Sequence, residues 1–180
     1  DIELLSLENV EWQEYSLTDV FDIKRGNQNN MNMCIEGANP LVSAKKIDNG
    51  YKTFISDNGK EMFEGNILTL NNDGDGGVGI SYFQPHRMAL DTHVTALIPK
   101  IPINKHSLLF LSRIITSQRE KFSHGYAINN NRLQKQKILL PMDENGNPHW
   151  EYMRQYMQNL ENEYIHELID YYQQKMNEIK

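Results

Sequence analysis

WEYMRQYMQNLENEYIHELIDYYQQKMNEIK, residues 150–180, contains neither glycine nor proline. Within it Met153, Met157, Leu160, Tyr164, Leu168, Tyr172, Met176 and Ile179 advance in steps of three and four. That spacing lays one apolar stripe along an α-helix. At about 1.5 Å per residue the helix is roughly 45 Å long, too long to be covered end to end by a domain of this size. The stripe is therefore expected to meet another helix, as in a coiled coil. The other arrangement is a helix folded back on its own domain. Asn147-Pro148 supplies the start, with proline in the first turn.

Working outward, the residues ahead of this helix read as one mixed unit. YSLTDVFDIKRG (15–26) predicts a short helical turn running into a strand that stops at Gly26. PLVSA, YKTFI, NILTL, VGISYF and HVTALIP follow, rich in β-branched and aromatic residues and bounded by Asn, Asp or Gly, and each reads as a strand. Asp48-Asn49-Gly50 and Asp57-Asn58-Gly59 are hairpin-turn signals. In SLLFLSRIITSQREKF the period changes: Leu108, Leu111, Ile115 and Phe122 predict one amphipathic helix. KILLP, ended by Pro141, reads as the last strand. The fold class is α+β: a mixed α/β domain at 1–147 with a mostly antiparallel sheet, then one long C-terminal coiled-coil helix at 148–180.

The chain has 180 residues, 39% of them hydrophobic and 23% charged, enough for a packed core. No apolar run reaches membrane-spanning length. The opening DIELLSLENVEW lacks a basic start and an apolar core, so no signal peptide is expected. The single cysteine, Cys34, excludes an internal disulfide and a thiolate-rich zinc site, and a cytoplasmic location is the simple expectation.

The net charge of −6 argues at first against a polyanionic partner, but the charge is segregated. Between 100 and 137 eight Lys and Arg face Glu120 alone, whereas from 143 onward eight acids outnumber three cations. This distribution can place a positive face on a chain that is acidic overall; the other reading is a solvated helix surface.

Catalytic and metal signatures are weak. Gly74-Asp75-Gly76-Gly77-Val78-Gly79 matches a dinucleotide-binding pattern, yet it leads into a strand where a helix N-terminus is required. Asn71, Asp73 and Asp75 resemble the start of a calcium loop, but Tyr82 stands where its bidentate glutamate belongs. The six histidines form no ligand pair, and His86 and His93 around Asp91 read as surface or satisfied core groups. No nucleophile elbow and no Asp- or Asn-Pro-Pro-Tyr stretch is present. Asparagine is enriched, with 20 residues and clusters at 27–30, 71–72 and 129–131. Its carboxamide pairs with an adenine edge, while Arg and Lys read guanine or hold phosphate. Asparagine is also a good turn former.

Taken in order, these segments resemble the DNA specificity subunit of type I restriction–modification systems. EWQEYSL (11–17) with FDIKRG (21–26) is similar to the opening of its target-recognition domain, and PLVSA (40–44) with Asn49-Gly50 to the next element. GNILT (65–69) with Asn71-Asn72 and GGVG (76–79) resembles its glycine hairpin. His124-Gly125-Tyr126, Arg132-Leu133 and KILLP (137–141) resemble the closing segment, and NGNPHWEYM (145–153) the entry to the spacer helix. The resemblance implies duplex DNA binding without catalysis and without a cofactor or metal. It also implies partner methyltransferase and restriction subunits, and two recognition domains separated by two antiparallel helices. This chain matches one of each, so two readings stay open: a homodimer through the C-terminal helix, with a seam of Met157, Leu160, Tyr164, Leu168 and Tyr172, or the C-terminal half of a longer subunit whose site need not be symmetric. Phosphate and groove contacts are expected from Lys24, Arg25, Lys45, Lys46, Arg87, Arg132, Lys135 and Lys137. Base contacts are expected from Ser43, Asn49, Asn71, Asn72, Asn130 and Asn131. The other readings are a recognition domain of a fused type II restriction enzyme or small nuclease, and a coiled-coil assembly module without DNA binding.

Overall fold

A computed structural model of the protein describes residues 6–29, 31–74, 77–123 and 128–179. The alternation of side chains on one strand, β8 (Val94–Pro99), separates the two larger of its three buried clusters. Val94 and Ala96 belong to one buried cluster, Leu97 to the other. β8 lies inside a four-stranded antiparallel sheet, flanked by β2 (Phe21–Arg25) and β5 (Ile67–Asn71), with β6 (Ser81–Gln84) beyond β5. On one face Phe21, Leu68, Leu70, Phe83 and Leu97 meet Leu108, Phe110, Leu111 and Ile115 of α2 (Lys105–Ser117). On the other, Ile67, Val94 and Ala96 meet Val42 and Leu90. Those two come from a second sheet, in which β3 (Glu36–Val42) pairs antiparallel with β4 (Tyr51–Ile55) and parallel with β7 (Ala89–Leu90). β5 is buried at all five positions because both of its faces are covered. Each fully buried large apolar side chain here contributes about 1.5–3 kcal/mol.

A two-stranded ribbon, β1 (Trp12–Ser16) against β9 (Lys137–Pro141), closes the helix side of the core with Ile138 and Leu140. The turn α1 (Leu17–Val20) leads from β1 into β2, the turn-then-strand expected from the sequence. Gly26 ends β2 where a Cβ would stand 2.2 Å from the Asp91 carbonyl oxygen and 2.6 Å from that of Leu90, so only glycine lets the two backbones pass.

Three local expectations are corrected. Residues 57–59 make no hairpin: β4 pairs only with β3 among the described residues, and the chain crosses there to the other sheet. The amphipathic helix is two helices, α2 and α3 (Arg119–Ser123), broken at Gln118. The Gln118 carboxamide accepts from the Leu139 N–H at 3.0 Å and donates to the Leu139 carbonyl at 3.1 Å, satisfying the open edge of β9. The side chain of Phe122, with Asn30, Asp75, Gly76 and His124-Gly125-Tyr126, lies outside the described residues. Finally, Asn129 caps a short helix, α4 (Asn130–Lys135), which the sequence did not announce because Leu133 is its one buried residue.

The C-terminal helix, α5, runs over Trp150–Glu178, starting two residues beyond the boundary expected at 148. His149 caps it, its Nδ1 accepting from the Tyr152 N–H. Its first three turns belong to the domain: Tyr152 and Met153 are buried, Phe110 meets Tyr156 edge to face, and Lys105 and His106 of α2 clasp Glu161. Beyond Glu161 the stripe leaves the domain, and Leu168 and Tyr172 are each 59% exposed. The folded-back arrangement thus holds for the first stretch of the helix, while the rest of its apolar stripe is exposed.

Candidate nucleic-acid interface

Strand register gathers several loops at one end of the central sheet. β2 finishes at Arg25 opposite Thr95, β8 begins at Val94 opposite Asn71, and Leu70 faces Ser81 at the start of β6. β3 and β7 also finish side by side there, and the Asp91 N–H donates to the Val42 carbonyl. The loops after Arg25, Val42 and Asn71 and the turn before Val94 therefore share one end. Two further segments reach it. The Ile128 N–H donates to the Asn72 carbonyl, bringing the N-terminus of α4 alongside. At the end of α2, Thr116 Oγ1 accepts from the Ser81 N–H at 3.0 Å, and Arg119 backs onto Gly79, where a Cβ would stand 2.6 Å from its own. The positive φ of Gly79 and this close approach both call for glycine.

The expected site residues divide sharply at this end. Arg25 projects from it, its Nε donating to the Thr92 carbonyl at 2.6 Å. Lys46 is exposed, beside Gly77, and forms no hydrogen bond or ion pair among the described residues. Asn130, Asn131 and Arg132 are exposed in the first turn of α4. Lys45 is half-buried, with its ammonium on Asp48 at 3.0 Å and the Tyr51 carbonyl at 2.7 Å, so it braces the loop that presents Lys46.

Four of the expected base readers face inward. Asn71 and Asn72 are buried. The Asn71 amide donates to the Lys45 carbonyl, and the Asn72 carboxamide oxygen accepts from Thr95 Oγ1 at 2.6 Å. Ser43 is buried, and Asn49 turns its amide onto the Phe83 carbonyl and Gln84 Oε1 at 3.1 Å. The hydrogen bonds of the three asparagines hold the loops together, and a groove edge cannot reach those amides without breaking them. The turn-forming role of asparagine prevailed at 49 as well, which sits at φ 54°.

The remaining cations lie elsewhere. Lys24, on the opposite face of β2 from Arg25, pairs with Glu61, and Arg87 pairs with Asp57 at 3.1 Å and Glu64 at 3.4 Å near the far end of β5. Lys135 and Lys137 are exposed where α4 hands over to β9, beside the start of α1. Two groups that the sequence reading did not select stand among the gathered loops. Arg119 belonged to the basic block, and its proximity is visible only through Gly79. His93 was read as a surface or core group. Its Nδ1 lies 2.8 Å from Asp73 Oδ2, and hydrogen bonding to that carboxylate raises the imidazole pKa above its ordinary value. Burial and Arg25 oppose this shift, whereas the charges of Asp73 and Asp91 reinforce it.

Among the described residues no group of three His, Cys, Asp or Glu is placed to hold a metal ion, and no helix is long and apolar enough to cross a membrane. Four of the five expected seam residues fall on a second feature, which Tyr172 does not line. Met157, Leu160, Tyr164 and Leu168, with Leu109 of α2, line an open apolar groove of about 630 Å³ that begins against the domain and continues along the projecting part of α5.

The architecture is thus an α+β domain with loops gathered at one end of its central sheet and a long helix that leaves the domain. Residues 9–169 match the family model for the type I restriction modification DNA specificity domain, and the chain belongs to that family. It is 32% identical over 164 residues to the Type II restriction enzyme specificity subunit S.BcgI of Heyndrickxia coagulans, covering 91% of this chain and 47% of that protein. Its fold is similar to the type I restriction–modification S subunit from M. genitalium, with TM-score 0.60 and 15% identity over 91% of this chain and 43% of that one. It is also similar to a chain from a structure describing complex assembly and conformational transition of the type I R-M system, with TM-score 0.62 and 20% identity over 84% and 38%. The chain spans less than half the length of each of these relatives.

Proposed function

We propose that this chain is a sequence-specific duplex DNA recognition unit of a restriction–modification system, acting in the cytoplasm and directing partner methyltransferase and endonuclease subunits to an interrupted target site. The observation that carries the reading is the convergence, in a DNA specificity domain, of Arg25, Lys46, Arg119, Asn130, Asn131 and Arg132 on the loops at one end of the sheet. Cations there neutralise phosphates and fix register, while the carboxamides of α4 read base edges. Lys135 and Lys137 extend the positive strip along α4, and Lys24 and Arg87 serve the fold through their ion pairs. Residues 1–147 supply the recognition domain and 148–180 the spacer.

Pairing of α5 with a second such helix, from another copy of the chain, completes the spacer. Two domains then sit on half-sites about one helical turn of DNA apart, related by a two-fold axis. The exposed stripe beyond Glu161 supports this reading. The name of the S.BcgI relative, a type II restriction enzyme specificity subunit, favours a second arrangement, in which the partner is a type II restriction enzyme.

The test is to co-purify the chain with the methyltransferase encoded beside it and to map the methylated adenines. A two-part motif with a fixed gap is the expected result, symmetric when one chain supplies both halves. Methylation at scattered adenines without a common motif overturns the recognition role.

A further inference from the structure

Within that interface, and resting on the reading of it as a DNA surface, we infer that His93 contacts the duplex backbone, donating its Nε2–H to a phosphate oxygen, and that the chain takes up a proton at this ring as DNA binds. The two ring nitrogens stand in different surroundings. Nδ1 lies 2.8 Å from Asp73 Oδ2, and an ionised carboxylate only accepts, so Nδ1 carries its hydrogen in either charge state. Nε2 is 3.9 Å from Asp91 Oδ1, too far for a hydrogen bond. Asp91 is already engaged, since its Oδ1 accepts from the His93 N–H at 2.8 Å. With 55% of the side chain exposed, Nε2 has no hydrogen-bond partner among the described residues, while Nδ1 anchors the ring to Asp73. When the ring is protonated Nε2 is a donor, and when it is neutral Nε2 is a lone pair that faces phosphate with repulsion.

The charged groups facing the ring among the described residues are Asp73 from the turn after β5, Asp91 from the turn before β8 and Arg25 from the end of β2. With the imidazolium present these four balance. Once it deprotonates, two carboxylates face one guanidinium around the ring, and this part of the surface becomes less favourable to a polyanion. The existing bond to Asp73 already favours the charged ring, and an added phosphate acts in the same direction. Binding and protonation are then linked and reciprocal, each strengthening the other.

The experiment measures the affinity of the full chain for two short duplexes of unrelated sequence between about pH 6 and pH 8.5, a range that brackets histidine titration. The same series is run on His93→Gln and on Asp73→Asn. Linkage of one proton makes the affinity fall as pH rises, by at most about tenfold per pH unit. His93→Gln is expected to flatten that dependence and to lower the log–log salt slope by about 1 on both duplexes. Asp73→Asn removes the anchor and is expected to move the midpoint to lower pH. A histidine that only props the loops predicts a different result: His93→Gln weakens binding equally at every pH and leaves the salt slope alone, which overturns the inference. A loss confined to one duplex also overturns it, because a phosphate contact is blind to sequence. Absence of any salt-dependent duplex binding by the unsubstituted chain overturns the DNA reading itself, and the inference with it.

Discussion

At the scale of single residues, adjacent lysines have separate duties. Lys45 holds Asp48 and the Tyr51 carbonyl, whereas Lys46 stands free of described partners next to the glycine turn. Lys46→Ala is therefore expected to leave thermal stability within about 0.5 kcal/mol while weakening every duplex and reducing the salt slope by about 1. Lys45→Ala loosens the loop, costing about 1 kcal/mol of stability for the lost hydrogen bond, and affects DNA only through Lys46. Filter binding at several salt concentrations beside a thermal melt separates the two. Equal stability losses for both variants would contradict the division. The asparagines divide by the same logic: 49, 71 and 72 spend their carboxamides on backbone and neighbouring side chains, and 130 and 131 do not bury theirs.

At the scale of elements, the junctions carry the burden. Gln118 breaks the amphipathic helix and in exchange satisfies both backbone groups of Leu139. Gln118→Ala leaves that N–H and C=O without their partner, and a loss of about 1–3 kcal/mol is expected, read as a lowered melting temperature with faster amide exchange at Leu139. The start of α5 is pinned in another way. Glu151 accepts from Arg154 and Gln155, and these bonds hold its carboxyl down to about 2. A depressed carboxylate pKa adds stability that is present above the unfolded value near 4.5 and is lost as pH falls through about 2. Helicity of the first turns of α5 is expected to decline across that window, and Glu151→Gln to remove the dependence. A Gln variant with the same acid profile would assign the transition to other carboxylates.

At the scale of the whole molecule, α5 is half anchor and half probe. Leu168→Glu with Tyr172→Glu alters only the exposed half, so the melting temperature of the domain is expected to stay unchanged. Self-association through the stripe is expected to vanish, as followed by light scattering. A wild-type chain that is monomeric at every concentration would remove the second copy from the spacer, leaving a second segment of the same polypeptide as its partner.

Local signals suffice for some elements: the α1 turn running into β2, the central strands bounded by Asn, Asp and Gly, and a long helix announced by its 3.6-residue period and freedom from Gly and Pro. The ordered motifs along the chain also carried its family, since each short match is weak but their succession is constrained by one fold. The tertiary structure alone decided which polar side chains face outward. Asn71 and Asn131 are equivalent letters in a sequence, and burial separates them only after β5 is covered on both faces. It also decided that His93 meets Asp73 across 20 residues and that Arg119 meets Gly79 across 40. Such encounters follow from strand register and from the crossing of layers, which are long-range properties that no residue's own propensity encodes.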